Sequence, residues 1–273
     1  MMQATLRDRL CFEGVGLHTG AQCRAELVPA NADAGIAFVV GGIRIPATVE
    51  YVVDTTRATV LGRDGVSVST TEHLLSALLA MGVTNCEIQV DGPEIPVCDG
   101  SASAFVAAIA DCGTEPQSRE RRLLELTEPL FVREGDKLIA ALPASSWRIR
   151  FIADFPDPIG TQYFSGEIDA DSYRDEIAGA RTFGYLHEIQ ALLDRGLARG
   201  GSLDNALVFG PDGPIQPLRW PNEAVRHKVL DLIGDLALLG AWPQFEIVAI
   251  KSGHELHCTI TNVLRTQLRV LSA

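Results

Sequence analysis

His227, Asp231 and Asp235 follow one another at intervals of four in "RHKVLDLIGDLALLGAWP", residues 226–243, with Lys228 beside the first. That interval stacks them in one narrow sector of a helix. Val229, Leu230, Leu232, Ile233, Leu236 and Leu239 give the same helix a wide apolar stripe. A histidine and a carboxylate at i, i+4 can converge on one metal ion from a single face, the mechanical logic of the histidine pair in zinc hydrolases. The same spacing also suits a plain His–Asp hydrogen bond at a solvated helix edge. An isolated HxxxD pattern does not choose between the two.

Glu72 and His73 in "TTEHLL" add a carboxylate next to a second histidine, early in another apolar helix. Such a pair can act as base and ligand, although glutamate in a first turn is favoured by the helix dipole whatever its function. His73 stands beside Leu74, Leu75 and Leu78, where an imidazole is either a ligand or a core side chain satisfied by a backbone carbonyl. "KSGHEL", residues 251–256, sets Lys251 and His254 between a strand and a helix. Catalytic groups often sit in such loops; the plain alternative is that Ser252 or Gly253 merely starts the helix. "EGVGLHTG", residues 13–20, is followed by the strand-like "AQCRAELVPA", so it is a glycine-rich turn presenting His18 and not a dinucleotide fingerprint. "CDGSAS" lacks the pattern of a nucleophile elbow, which leaves Ser101 as a helix cap. Together these residues offer three metal ligands, an adjacent carboxylate, and a histidine, a lysine and an aspartate for proton transfer and anion stabilisation. A hydrolase that activates water on zinc needs that inventory.

The elements that must position them alternate between strands and helices. "LCFEGVGL", "QCRAELVPA", "GIAFVV" and "IRIPATV" read as short strands, followed by the helix "STTEHLLSALLAMG", with Ser69, Thr70 or Thr71 as N-cap and Gly82 as its stop. The strand "NCEIQVD" and the helix "SASAFVAAIADCG", capped near Ser101, close the first half. Residues 114–122, "TEPQSRERR", have no apolar periodicity and read as a polar break between domains. Strands resume in "LLELTEPLFV", "KLIAALPA", "WRIRFIADF" and "QYFSGEI". Helices over about 171–180 and 186–196, the strand "ALVF", a helix over 222–240, the strand "QFEIVAIK" and the helix "HELHCTITNVLRTQL" complete the chain. Both halves share an order: strands, a histidine-bearing helix ending in glycine, a strand, a closing helix. The order predicts two domains of like topology, residues 1–116 and 121–273, each an α+β layer with helices on one face of a sheet.

A chain of 273 residues that is 47% hydrophobic can bury a real core. Its formal charge of −12 and the want of a strong Lys/Arg cluster exclude a nucleic-acid partner. Six cysteines without a CxxC pair predict reduced thiols in the cytoplasm. "MMQATLRDRL" has charges where a signal peptide has its apolar core, and the longest apolar stretches are too short to span a membrane.

With these residues in hand, the chain resembles the zinc-dependent UDP-3-O-acyl-N-acetylglucosamine deacetylases of lipid A synthesis. "GVGLHTG", "STTEHLLSALLAMGVTN", "PEIPVCDGSASAFV", "ARTFGYLHEIQALLDRGLARGGSLDNALVF", "VRHKVLDLIGDLALLG" and "KSGH" are similar to family blocks and stand in family order. The resemblance implies two α/β-sandwich domains whose helices meet between two outer sheets, with the metal in the cleft between them. It implies His73, His227 and Asp231 as ligands of Zn2+, Glu72 as general base, and His254 as the acid that protonates the leaving amine, with Asp235 as its partner. Lys228 and Thr182 are implied at the developing oxyanion. Phe155 is implied against the uracil and Lys251 near the diphosphate. Phe183, Leu186, Ile189 and Leu197 are implied along an acyl passage, and His18 at the site without a defined role. The implied partner is a small UDP-acyl-glucosamine derivative; neither membrane insertion nor an obligate protein partner is expected. Three residues depart from the family pattern: Arg199 and Asn205 are more polar than their neighbours' passage requires, and His257 replaces an asparagine. Arg199 and Asn205 motivate a rival, an amidohydrolase of another N-acylated nucleotide sugar; the other rival is a non-catalytic binding protein with an inherited cleft.

Overall fold

The computed structural model describes residues 1–271, with side chains described through residue 267. The first half runs β1 (Met2–Leu6), β2 (Leu10–Val15), β3 (Gln22–Pro29), β4 (Ile36–Val40), β5 (Ile43–Pro46), β6 (Val52–Asp54), β7 (Val60–Arg63), β8 (Val66–Val68), α1 (Glu72–Ala80), β9 (Cys86–Asp91), α2 (Ser103–Cys112) and β10 (Thr114–Glu120). The second runs β11 (Leu123–Glu125), β12 (Leu130–Glu134), β13 (Lys137–Pro143), β14 (Arg148–Asp154), β15 (Thr161–Glu167), α3 (Ala170–Glu176), β16 (Phe183–Tyr185), α4 (Ile189–Asp194), β17 (Leu207–Gly210), β18 (Gly213–Pro214), α5 (Glu223–Ala237), β19 (Trp242–Ile250) and α6 (His254–Leu271).

The two large sheets repeat one topology. The first has the order β2-β3-β9-β4-β5 and the second β12-β13-β19-β14-β15. In each, the strand that follows the histidine-bearing helix is central, antiparallel to one neighbour and parallel to the other. The shared order read from the sequence is therefore a shared architecture. Alternation sets each sheet's inner face: in β19, Pro243, Phe245, Ile247 and Ala249 are buried while the residues between them are not. Helices α1 and α5 lie against each other between the sheets, and one core joins Leu27 and Ile88 of the first half to Leu230, Ile233 and Phe245 of the second. Nearly every residue of both helices is buried, which is why their polar residues must find partners inside the protein.

Gly234 packs directly against the backbone of α1. A Cβ built there meets the backbone carbonyl oxygen of Glu72 and lies 2.7 Å from the Glu72 Cα. No side chain can be accommodated unless the helices separate. Gly234→Ala is expected to destabilise the fold by about 1–3 kcal/mol, the usual cost of overpacking a core. It is also expected to lower activity, because the helices it separates carry Glu72 and Asp231. Chemical denaturation and turnover should fall together; an unchanged midpoint would contradict the contact.

Several elements differ from the sequence reading. Residues 114–120, taken as part of a polar break, form β10 and pair antiparallel with β1 (Thr5 with Glu115, Leu6 with Thr114). Most of β10 is exposed; its backbone pairing with β1 and the side-chain hydrogen bonds of Gln117 with Asn85 and the Ala30 carbonyl hold it, and no apolar pattern marks it. "LLELTEPLFV" divides into β11, which runs parallel to β19, and β12, which pairs with β13. Strand β1 and the small β6-β7-β8 sheet carry too few residues to show periodicity. The helix expected over 171–180 ends at Glu176, started by a capping box between Asp169 and Ser172. Thr71 does stand at the N-cap of α1, but its side chain makes no cap bond; its hydroxyl donates instead to the Thr59 carbonyl. No helix among the described residues is long and apolar enough to cross a membrane.

Candidate metal centre and catalytic cavity

Helices α1 and α5 bring His73, His227 and Asp231 together, all buried, with one potential ligand atom from each within 4.8 Å of the others. His227 Nε2 lies 3.4 Å and His73 Nε2 3.8 Å from the same carboxylate oxygen, Asp231 Oδ1. The two rings stand edge to face, with centroids 5.0 Å apart. His227 Nδ1 lies 3.0 Å from the Ala180 carbonyl. With its proton donated there, the lone pair on Nε2 points to the convergence point, the outer hydrogen bond that typically orients a metal-binding imidazole.

Charge states fit the same use. Burial drives the His73 imidazole down to about 3, and burial also lowers His227. Both are neutral at physiological pH and offer lone pairs. Burial alone would raise the Asp231 carboxyl, but Lys228, 2.5 Å from Oδ2, and the neighbouring imidazoles hold it well below the carboxylate range. Two neutral imidazoles and one carboxylate suit a divalent cation and leave a coordination position open.

A second buried group adjoins the first. Asp235, one turn beyond Asp231, is contacted by His254 Nδ1 at 2.8 Å and His257 Nδ1 at 2.9 Å, both on Oδ2. His254 Nε2 then faces Glu72 Oε1 and Asp231 Oδ2, at 3.9 Å from each. Burial pushes the Glu72 carboxyl up to about 8. Burial would lower His254, but Asp235, followed by Asp231 and Glu72, raises it to about 9. The site thus pairs a carboxyl that titrates near neutrality with an imidazole that keeps its proton.

These groups open onto a cavity of about 830 Å³. Its wall includes Glu72, His73, His227, Lys228, Asp231 and His254, together with Thr182, Phe155, Phe183 and His18. Phe155 and Phe183 pack edge to face at 5.2 Å. Ile189, Leu192, Leu203, Ala206 and Val208 supply an apolar part. A family model for UDP-3-O-acyl N-acetylglycosamine deacetylases matches residues 3–266. The chain belongs to that deacetylase family.

Its curated relatives include the UDP-3-O-acyl-N-acetylglucosamine deacetylase of Syntrophotalea carbinolica, 45% identical over 93% of this chain and 85% of the relative. The deacetylase of the same name from a Nostoc species is also 45% identical, over 94% of this chain and 96% of the relative. That of Geotalea uraniireducens is 42% identical over 96% and 88%.

Of the substrate-binding residues that the deacetylase resemblance implied, three lie outside the cavity wall. Leu186 sits in a single 3-10 turn and is exposed; Ile189 and Leu192, farther along the same segment, face the cavity instead. Leu197 is not in the wall. Lys251 is also outside it, its ammonium held by Asp154 at 2.7 Å and Asp136 at 3.1 Å, so its charge is already neutralised. The lysine and arginine side chains in the wall are Arg57, Lys137 and Lys228. Neither polar departure reaches the cavity. Arg199 is exposed, with its N–H on the His18 carbonyl. Asn205 closes its own turn, accepting from the Ser202 N–H and donating to the Gly200 carbonyl. The rival deacetylase specificity loses its motivation with them.

Sequence reasoning missed Thr59, Glu94 and the role of His257. Fully buried Glu94 accepts hydrogen bonds from the N–H groups of His18 and Thr19 and from the hydroxyls of Thr19 and Thr70. It thereby shapes the turn that carries His18. Nothing in the spacing of Glu94 signals this, because its partners come from two other segments.

Proposed function

We propose that the chain is a zinc-dependent UDP-3-O-acyl-N-acetylglucosamine deacetylase, working in the cytoplasm on the path to lipid A. It hydrolyses the acetamide of the glucosamine ring to acetate and a free amine. The observation that carries this reading is the convergence of His73, His227 and Asp231 beside Glu72 and a proton-bearing His254 at one cavity, in a chain that aligns with deacetylases over nearly its whole length. His73, His227 and Asp231 would hold the zinc. When bound, zinc supplies Lewis acidity, polarising the amide carbonyl and lowering the pKa of water at the open position.

The protein's own groups do the rest. Glu72, in the cavity wall beside His73, takes the proton from the attacking water. Lys228 and Thr182, both in the wall, stabilise the negative charge that develops on the carbonyl oxygen. Breakdown of the tetrahedral anion requires a proton on nitrogen, because an amide anion is too basic to leave. His254 donates it from Nε2, its Nδ1–H being held by Asp235. Phe155 offers a face to the uracil. Ile189, Leu192, Leu203 and Val208 receive the acyl chain, each buried methylene contributing about 0.8 kcal/mol. The free state of all six cysteines supports a reducing compartment. The same reading makes residues 1–116 and 121–273 the two domains, with β10, which pairs back onto β1, carrying the first as far as Glu120.

Mass-spectrometric assay of acetate release tests the assignment. The 3-O-acylated substrate should turn over far faster than the non-acylated sugar nucleotide, and a chelator should stop the reaction. Equal turnover of the two sugars would sink the proposed substrate class.

Asp235→Asn gives a test with a defined sign. The Asp235 carboxylate helps raise His254 to about 9, so the acid form survives through neutrality and is lost as pH rises past that value. Removing the negative charge is expected to shift the alkaline limb of kcat/KM down by more than about one pH unit. A limb that stays in place would mean that another group supplies the proton.

A further inference from the structure

We propose that Thr59 is a positioning residue that fixes the base and the acid of this site relative to each other, a role that rests on the deacetylase reading above. Thr59 immediately precedes β7 and is fully buried. Its N–H donates to Glu72 Oε2 at 3.1 Å. Its hydroxyl donates to Asp235 Oδ1 at 2.5 Å and lies 3.2 Å from His254 Nδ1. Its carbonyl accepts from the N–H and the hydroxyl of Thr71, at 3.3 and 3.1 Å, where α1 begins. One residue at the entry to a small separate sheet therefore touches the base, the acid's carboxylate partner and the start of the helix bearing the base.

The division of labour follows from counting protons. Asp235 Oδ2 receives both His254 Nδ1 and His257 Nδ1. Thr59 is the only side-chain donor to Oδ1 among the described residues. A hydroxyl has one proton, and with it committed to Asp235 the His254 Nδ1–H has Oδ2 as its acceptor. The carboxylate plane is then fixed by donors on both oxygens, and His254 Nε2 is aimed at the cavity. Without the hydroxyl, Oδ1 is a buried acceptor with no partner, an arrangement costly enough to turn the carboxylate. His254 would turn with it. The N–H bond to Glu72 belongs to the backbone and survives any side-chain change, so the hydroxyl can be tested separately from the base.

Two matched pairs isolate that hydroxyl: Thr against Val, which exchanges the hydroxyl for a methyl, and Ser against Ala, which differs by one oxygen. In zinc-loaded protein, Thr59→Val is expected to lower kcat on the 3-O-acylated substrate by about 10- to 100-fold, the scale of a misaimed catalytic group, with KM and zinc content unchanged. Thr59→Ser should stay within about threefold of wild type, and Thr59→Ala should fall as Val does. Equal kcat for Thr and Val, or for Ser and Ala should Val fold poorly, would overturn the proposal. So would a loss divided between KM and zinc content. Proton NMR supplies a readout that needs no turnover. The His254 Nδ1–H resonance, deshielded by its bond to Asp235, should move in Thr59→Val and hold its position in Thr59→Ser. A wild type that is inactive on this substrate would refute the assigned activity, and the resonance would still decide the role of Thr59.

Discussion

Glu72→Ala should lower turnover by about 10²–10⁴-fold, the range for removing a positioned acid–base group, while the chain stays folded and keeps its zinc. Glu72 is not one of the three residues that converge as ligands; it stands next to His73 at the start of α1 and faces His254 from 3.9 Å. Its burial makes the carboxyl reluctant to ionise, so alanine at this position relieves a desolvated group and leaves the Thr59 N–H without its acceptor. The stability change is therefore small against the kinetic one. Metal analysis beside single-turnover rates checks both halves: lost rate with stoichiometric zinc confirms the base, whereas an unchanged rate refutes it. His254→Ala should behave alike, with zinc kept and the rate lost, since its Nδ1 is bound to Asp235 and it is not part of the His73, His227 and Asp231 group.

His73→Ala should instead lose the metal, and with it essentially all activity. Only three side chains form the first cluster, and two remaining ligands hold zinc weakly beside the three that a catalytic site needs. Removal of the imidazole also leaves Asp231, held ionised by Lys228 and the neighbouring imidazoles, with one attractive partner fewer. Zinc affinity is expected to fall by more than about 100-fold, beyond the loss typical of outer-sphere changes, and turnover should drop below detection at stoichiometric zinc. Inductively coupled plasma measurement after dialysis provides the check. A variant that retains one zinc per chain would move the metal site elsewhere, for instance to the second cluster of Asp235, His254 and His257.

The chain's departure at His257 has a structural account. His257 is fully buried, shares Asp235 Oδ2 with His254, and has its Nε2 2.9 Å from the Ser252 hydroxyl. It therefore belongs to the scaffold of the acid, although it also appears in a group of possible metal ligands. Burial lowers its pKa, so it remains a neutral imidazole beside the charged His254 and adds no second cation next to it.

Much of this protein is determined by local sequence. The i, i+4 file of His227, Asp231 and Asp235 fixes their common helix face, because helical geometry leaves them no other arrangement. The repeated order of strands and helices gives the two matching sheets, because alternating apolar residues and glycine stops are local signals. Only the tertiary structure decided how His73 meets His227, since nothing in one segment encodes its distance to another. Gly234 shows why: an ordinary helix residue by sequence, it is the contact that lets α5 approach the Glu72 backbone. The same holds for Thr59, Glu94 and β10, whose partners lie in other segments. Lys251 marks the converse failure, a lysine beside the site in sequence whose charge Asp136 and Asp154 neutralise. Periodicity and capping are properties of neighbours along the chain, whereas pairing of buried polar groups depends on which distant segment supplies the partner.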